Sequence, residues 1–264
     1  MLRYCSLFSG STGNCTYVGQ ADGGLLVDTG VSAKRIRGAL DERQIDPCSI
    51  RAVLVTHEHT DHVAGLRVLC RAYGWPVLAS AGTLDALAEA DRITPQQRLY
   101  ALPAGQTVTV GGLRVTPFAT PHDSRQCFGY RIEAADGRAV AVATDIGRMT
   151  QEILDGVTGC GLVHIESNHD PDMLQNGPYP YVLKQRIRGE GGHLANGDCA
   201  AVLPQLAAAG TTRFVLAHLS EHNNTPALAR ETATAALAAA GCAVGRDCLL
   251  AVAEPTGTQP VTYF

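Results

Sequence analysis

Residues 56–62, which read THEHTDH, constrain what this chain can fold into more than any other segment. His57, His59, Asp61 and His62 fall within six positions, soon after the apolar residues 52–55. The alternative is a polar surface loop, but nine histidines among 264 residues make three so close together improbable by chance. Imidazole and carboxylate ligands together suit zinc, or a harder ion such as manganese or iron. The segment therefore predicts a metal site at the end of a strand.

Short apolar segments separated by turn residues dominate the chain, and helical patterns are interspersed in both halves. Strands are predicted at residues 2–8, 14–18, 25–28, 52–56, 76–79, 107–110, 113–119, 127–134, 138–143, 161–165, 213–217 and 248–253. Helices are predicted from near residue 32, from 61 to about 73, and at 83–90, 198–209 and 226–240. Pro204 predicts a kink or a late start for one of them. Two sheets packed face to face, with helices on the outer faces, would bury these strands. No composition shift divides residues 1–264, so we expect one domain.

Net charge and cysteine usage limit the classes of protein. The formal net charge is -4 and the pI about 6.1, which is not typical of a strongly basic nucleic-acid binder. Two bound divalent cations would offset that charge and make the local field positive. The nine cysteines include no C-x-x-C pair, and we find neither a signal peptide nor an apolar run of ~20 residues. We therefore expect a reduced cytoplasmic protein that does not enter a membrane.

Four more polar residues lie at or just after the ends of predicted strands, namely Asp28, His122, Asp145 and His218. Together with the H-x-H-x-D-H pattern of residues 57–62, they resemble the metallo-β-lactamase superfamily. Asp28-Thr29-Gly30 is similar to the D-x-G element of that superfamily. A lone strand-end histidine is more often structural, so the complete set carries the resemblance. It implies an α+β fold, an αββα sandwich of two mixed sheets, and a metal-dependent hydrolase.

The resemblance also implies a role for each ligand. The first metal would be bound by His57, His59 and His122, the second by Asp61, His62 and His218, and Asp145 would bridge the two. Asp28 would hold the motif loop through hydrogen bonds without binding metal, although an ordinary turn aspartate would look similar. The cofactors would be two divalent ions, Zn2+ or Mn2+, and iron is also compatible with these ligands.

Finer motifs are similar to one bacterial branch of that superfamily, the WalJ/YycJ group. Residues 6–14 (SLFSGSTGN), 166–170 (ESNHD), 184–188 (KQRIR) and 192–196 (GHLAN) carry this resemblance. Ala195 departs from it, because serine is expected at that position. The branch is described as acting on duplex DNA with 5′-to-3′ exonuclease activity. The resemblance therefore implies a nucleic-acid substrate, with DNA favoured over RNA.

Two features of these motifs suggest that the substrate carries phosphate. Ser9, Ser11 and Asn14 lie in a glycine-rich loop that could present backbone N–H groups to an anion. A tight hairpin turn explains the same loop equally well. His193 resembles the histidine that ribonuclease-Z-like relatives place at the phosphate to assist the leaving group. A structural histidine at the start of a helix is the alternative.

A local basic segment is the third candidate for substrate binding. Lys184, Arg186 and Arg188 lie close together in an otherwise acidic chain, and guanidinium groups suit phosphate oxygens. The alternative is a solvated helix face, which we would favour without the resemblance.

These expectations describe a phosphodiesterase or nuclease with Asp61, Asp145 and His193 as catalytic residues. A water bridging the two metals would become a hydroxide that attacks phosphorus in line. His193 or a metal-bound water would protonate the leaving oxygen. One alternative is a small-molecule ester or thioester hydrolase of the glyoxalase II type, which would use the same ligands. Another is a metal-binding regulatory or scaffold protein without turnover, against which the complete ligand set argues.

Overall fold

Two seven-stranded β-sheets form the centre of the structure, a computed structural model that describes residues 1–256 and 260–264. The first sheet contains β1 (Arg3–Phe8), β2 (Cys15–Gln20), β3 (Gly23–Val27), β4 (Ile50–Leu54), β5 (Val77–Ala79) and β6 (Leu99–Ala101). The second contains β7 (Val108–Val110), β8 (Leu113–Ala119), β9 (Phe128–Glu133), β10 (Ala139–Ala143), β11 (Leu162–Glu166), β12 (Arg213–Ala217) and β13 (Leu249–Val252). The short strand β14 (Thr262–Tyr263) pairs with β1 and completes the first sheet.

Both sheets are mixed, with an antiparallel half and a parallel half. The first has the order β14-β1-β2-β3-β4-β5-β6 and becomes parallel from β3 onward. The second has the order β13-β12-β11-β10-β9-β8-β7, and its parallel half is β10 to β13. Parallel strands are covered on both faces, which explains the unbroken apolar run of β10, AVAVA. The carboxyl ends of such strands share an edge, where a site can be assembled.

Helices cover the outer face of each sheet. They are α1 (Ala33–Glu42), α2 (Thr60–Val63), α3 (Leu66–Tyr73), α4 (Ala81–Glu89), α5 (Gln151–Val157), α6 (Pro171–Asn176), α7 (Tyr181–Arg188), α8 (Asn196–Ala208) and α9 (Pro226–Ala239). Leu25 of the first sheet and Tyr130 of the second share one core between the sheets. Ile36 of α1 belongs to an outer core on the first sheet, and Leu203 of α8 to one on the second. The predicted αββα sandwich is thereby confirmed.

The sequence pattern and the structure differ in a few elements. The predicted strand 113–119 coincides with β8, and the helix predicted at 226–240 is α9. The expected late start around Pro204 is wrong, because α8 begins at Asn196 and contains that proline. Leu203 and Leu206, both fully buried, pack this helix onto the second sheet and offset the hydrogen bond that proline cannot make. None of the described helices combines the length and apolar character needed to cross a bilayer.

Candidate metal centre

Most of the predicted site residues follow strands of the parallel halves of the two sheets, and His122 follows the antiparallel strand β8. Asp28 comes after β3, Asp145 after β10 and His218 after β12, while residues 57–62 follow β4. Asp28, Asp145 and His218 have left-handed backbone conformations, with φ of 63°, 57° and 55°. A non-glycine residue in such a conformation costs about 1–3 kcal/mol and is retained only where contacts with the surrounding structure hold it there. Three of the five non-glycine residues with positive φ in the described part of the chain lie at this edge, which makes it a candidate functional site.

His57, His59 and His122 form a first donor cluster. Nε2 of His57 lies 3.0 Å from Nδ1 of His59, and Nε2 of His122 lies 3.4 Å from that same nitrogen. One nitrogen from each ring lies within 4.8 Å of the other two. Three converging imidazole nitrogens are a ligand set typical of a zinc-like cation.

Asp61, His62 and His218 form a second donor cluster. Oδ2 of Asp61 lies 3.4 Å from Nε2 of His62 and 3.7 Å from Nε2 of His218. Asp61 and His62 are neighbours in the short helix α2, whereas His218 approaches from the second sheet. The second cluster therefore depends on how the two sheets are packed.

Asp145 lies between the two clusters and is buried. Its Oδ1 is 3.6 Å from Nε2 of His122, and its Oδ2 is 3.2 Å from Nε2 of His62. Its Oδ1 is also 3.6 Å from Nδ1 of His218, so the carboxylate contacts both clusters. The structure brings all seven predicted ligands together at one edge of the sandwich.

Oxygen acceptors fix the outer nitrogens of three of these histidines. Nδ1 of His62 donates to Asp28 Oδ2 at 2.7 Å, Nδ1 of His218 to Glu166 Oε1 at 2.7 Å, and Nδ1 of His122 to the Gly192 carbonyl at 3.1 Å. Carboxylates and carbonyls can only accept, so each Nδ1 carries the hydrogen. Nε2 is therefore the nitrogen that each ring turns toward the clusters and would offer to a metal ion.

Asp28 is placed to hold the motif loop. Its Oδ1 accepts from the Thr56 amide at 2.8 Å, and its Oδ2 accepts from the Thr56 hydroxyl at 2.9 Å as well as from His62. Burial raises the pKa of Asp28 above its ordinary value, and the contacts with His62 and Thr56 oppose that rise. The side chain contacts the base of the motif rather than the donor atoms of the clusters.

Two buried polar atoms without a hydrogen-bond partner indicate that this donor set fits divalent metal ions. Asp145 Oδ2 and His218 Nε2 are buried and make no hydrogen bond within the described part of the chain. Burial alone would raise the pKa of Asp145, but the histidines around it, His218 and His62 foremost, hold it well below its usual range. Burial likewise lowers the pKa of His218, but nearby carboxylates, Asp145 first, raise it to about 10. The site favours positive charge at its centre, and its nitrogen and oxygen donors accept several divalent metals.

Glu166 is a site residue that the sequence reasoning did not assign. It is fully buried at the end of β11, and its Oε1 accepts from His218 Nδ1 at 2.7 Å and from His193 Nδ1 at 2.9 Å. Its Oε2 accepts from the backbone amides of residues 146 and 194, at 2.6 and 3.1 Å. Burial would raise the pKa of Glu166, but His193 and His218 lower it to about 2. An acidic residue ending an apolar strand, LVHIE, is the signal that could have found it.

The glycine-rich loop supports the metal centre. Ser9 is buried, and its hydroxyl accepts from the backbone amide of His218 at 2.9 Å. Asn14 is also buried, and its side-chain nitrogen donates to the Gly10 carbonyl and lies 3.1 Å from His62 Nε2. Of the three residues predicted to bind substrate here, Ser11 alone has an exposed side chain.

The basic segment forms α7 and is anchored on two sides. Arg186 forms a forked ion pair with Asp123, whose Oδ1 lies 3.3 Å from Nε2 of His122. Lys184 and Arg188 donate to backbone carbonyls in α6. Arg186 therefore lies at the first donor cluster, whereas the other two cations hold α7 against α6.

Comparisons with known proteins agree with this geometry. A family model described as the beta-lactamase superfamily domain matches residues 24–219. Exodeoxyribonuclease YycJ of Bacillus anthracis is 33% identical over 262 residues, which cover 99% of this chain and 99% of that one. Exodeoxyribonuclease WalJ of Streptococcus pneumoniae is 34% identical over 264 residues, which cover 98% and 97% of the two chains.

Solved structures show the same fold at low sequence identity. The metallo-beta-lactamase fold protein YhfI from Bacillus subtilis has a TM-score of 0.75 at 18% identity, covering 99% of this chain and 98% of that one. Zn(2+)-bound PqqB from Methylobacterium extorquens has a TM-score of 0.71 at 18% identity, covering 99% and 100%.

Proposed function

This chain belongs to the metallo-β-lactamase superfamily and to its YycJ/WalJ branch, and from that membership we propose that it is a metal-dependent nuclease that degrades duplex DNA from a 5′ end. The observation that carries the proposal is the pair of donor clusters joined by Asp145, with His193 beside them. The two relatives named exodeoxyribonucleases, similar over nearly the whole chain, support DNA as the substrate.

The ligand roles follow from which atoms converge. One ion would be held by His57, His59 and His122, the other by Asp61, His62 and His218, with Asp145 shared. When bound, two such ions supply a water of lowered pKa and offset charge on phosphoryl oxygens. The chain fixes the orientation of the ligands through Asp28, Glu166 and the Gly192 carbonyl, so that little reorganisation is needed during the reaction.

His193 is proposed to hold the proton for the leaving oxygen. Its ring centroid lies 5.1 Å from that of His122 and 5.3 Å from that of His218, so it stands beside both clusters. Its side chain is 17% exposed, whereas that of Glu166 is fully buried. Because Glu166 binds Nδ1 of His193, Nε2 is the nitrogen left for the substrate. Glu166 is thereby a positioning residue for both His193 and His218.

A metal-reconstituted cleavage assay tests the proposed function. The substrates are 5′-phosphorylated duplex DNA, duplex DNA labelled at the 3′ end, RNA, a chromogenic phosphodiester and a thioester. We expect release of nucleotides from the 5′ end of DNA at the highest kcat/KM. His193→Ala should lower kcat by about 10²–10⁴ with little change in DNA affinity. Faster turnover of the thioester than of any phosphodiester would instead favour the glyoxalase II type of hydrolase.

A further inference from the structure

A groove of about 440 Å³ opens beside the second donor cluster, a volume within the range of small-molecule sites. One wall is formed by residues 10–12 of the glycine-rich loop, and another begins at Leu219, directly after His218. The hydroxyl of Ser9 accepts from the His218 amide, so the first wall is also fixed to this metal ligand. The groove and the second cluster are therefore adjacent through the backbone of residues 9–10 and 218–219, and no donor residue itself lines the groove.

The lining of the groove is apolar with charged groups around it. Leu219, Pro226 and Ala253 contribute apolar surface, while Glu221 is exposed. Arg35 reaches the groove from α1 and is also exposed. Its guanidinium lies over the Phe8 ring, 4.7 Å from the centroid, and it has no acidic partner among the described residues.

This combination of groups favours a flat aromatic ligand over a phosphate. The carboxylate of Glu221 would repel a phosphate, but it can accept hydrogen bonds from the amino groups of adenine, cytosine or guanine. A guanidinium that already stacks on one ring can stack on a base with its other face. Apolar walls give a base a site that does not depend on sequence.

We propose that this groove binds a nucleobase of the substrate strand, one next to the scissile phosphate. The proposal rests on the proposed nuclease function and deepens it by naming a base-binding subsite. Arg35 stacks on the base, Leu219 and Pro226 contact it, and the exposed hydroxyl of Ser11 lies at the opening. Such a subsite positions the terminal nucleotide so that the phosphate it carries meets the donor clusters.

The test combines a protein change with a substrate change. DNA duplexes are prepared with a single abasic nucleotide at each of the first few positions from the 5′ end. In the wild type, one position should lower kcat/KM by roughly fivefold to a hundredfold, the range expected for one stacked base. In Arg35→Ala that penalty should shrink several-fold. Arg37→Ala is the matched control, since Arg37 is exposed on the same helix but does not line the groove.

Binding without cleavage separates the two proposals. In EDTA, a 2-aminopurine at the sensitive position should be quenched by the wild type and by Arg37→Ala, and less by Arg35→Ala. Equal tolerance of every abasic position, or equal behaviour of the two arginine variants, overturns the base-binding subsite even if DNA is cut well. If the 2-aminopurine is quenched but no metal supports DNA cleavage, the proposed nuclease reaction is refuted, and binding of a nucleobase in the groove is supported. Loss of both signals refutes both.

Discussion

The Asp145 carboxylate contacts both donor clusters, with oxygens 3.6 Å from His122 and 3.2 Å from His62. Replacing it with alanine removes the proposed shared ligand and leaves the remaining donors as two separate sets of three. We expect Asp145→Ala to abolish turnover even where one metal stays bound. Metal content by plasma mass spectrometry, measured beside DNA cleavage, checks this. Asp136→Ala, in an exposed turn, is the control, and near-wild-type cleavage by Asp145→Ala would refute the shared-ligand assignment.

Glu166 holds His218, a proposed metal ligand, and His193, the proposed proton donor, with the same oxygen. In Glu166→Gln, an amide replaces a carboxylate that accepts from two imidazoles and two backbone amides. Removing such an outer partner costs about 10- to 100-fold in metal affinity or activity. We expect a loss of that size in metal affinity, measured by a chelator competition assay. At saturating metal, kcat should still be lower than that of the wild type.

A comparison with His193→Ala distinguishes positioning from general loss of structure. His193 is not a proposed ligand, so His193→Ala should keep its metal affinity while losing turnover. Equal metal affinity in Glu166→Gln and the wild type would mean that His218 is oriented by something else. The thermal midpoint of each variant, recorded without metal, shows whether the fold itself has changed.

At the scale of elements, Gly30 is where β3 meets the motif helix α2. A Cβ built on Gly30 would lie 1.6 Å from the Asp61 carbonyl oxygen and 2.5 Å from the Asn14 amide nitrogen. These are backbone atoms, so the clash cannot be relieved by a side-chain rotation. Gly30→Ala should therefore displace Asp61, weaken metal binding and destabilise the protein by about 1–3 kcal/mol or more.

Gly38 provides a matched control for this substitution. A Cβ at Gly38, inside α1, meets nothing within 4 Å. Gly38→Ala should raise the free energy of unfolding by about 0.5–1 kcal/mol, because alanine loses less backbone entropy in a helix. Urea unfolding of both variants measures the contrast. If Gly30→Ala were as stable as Gly38→Ala, the packing of α2 against β3 would not constrain this position.

A strand with alternating burial was predictable from sequence, whereas a fully exposed strand and a very short helix were not. The alternating residues of β8 gave its bounds, 113–119, because alternate side chains face the core. All three residues of the edge strand β6 are exposed. Its sequence therefore shows no alternation of apolar and polar residues that would predict a strand. The helix α6 has six residues and depends on Asp170 as its N-cap, which is too short for a helical period.

The donor residues were predictable because their spacing is local or their position at a strand end is visible. Partners that are distant in sequence were not. Glu166 meets His193 and His218 across 27 and 52 positions, and Arg186 meets Asp123 across 63. Such pairs arise from the packing of the sheets and helices, about which a single sequence contains no direct signal.

At the scale of the whole molecule, a protein with a negative net charge can bind DNA only where its positive side chains are clustered. The chain has a formal net charge of -4, so the proposed phosphate binding would have to come from local cations, for which Arg186 and Arg188 are the candidates. Removing one cation that binds a phosphate should reduce the slope of log affinity against log salt by roughly 0.9. We expect that change for Arg186→Ala and for Arg188→Ala, measured by fluorescence anisotropy in EDTA. Arg51→Ala, at the amino end of β4, should keep the wild-type slope. Unchanged slopes in both α7 variants would mean that the two arginines lie on a solvated helix surface and do not bind phosphate.

One of the buried hydrogen bonds between the two sheets involves a histidine outside the donor clusters. Tyr4 of β1 and His164 of β11 meet in the central layer, with the phenol oxygen 2.6 Å from Nδ1 of the imidazole. Burial, with a smaller contribution from His218, lowers the pKa of His164 to about 3. An unfolded histidine titrates near 6.5, so between these two values the unfolded chain binds one more proton than the folded chain. Stability from this residue is complete above about pH 6.5 and is lost progressively as the pH falls toward 3.

The double variant Tyr4→Phe/His164→Leu removes this proton linkage without leaving a buried hydroxyl unpaired. From pH 7.5 to pH 5.0, the wild type should lose about 2 kcal/mol of unfolding free energy through His164 alone, and the double variant should not. Urea unfolding of metal-free protein at the two pH values measures the difference, because metal ligands then contribute equally to both proteins. His222→Gln changes an exposed histidine and should keep the wild-type pH dependence. If the double variant loses as much stability as the wild type, His164 must take up its proton in the folded state, and the two sheets must separate enough locally to admit the charge.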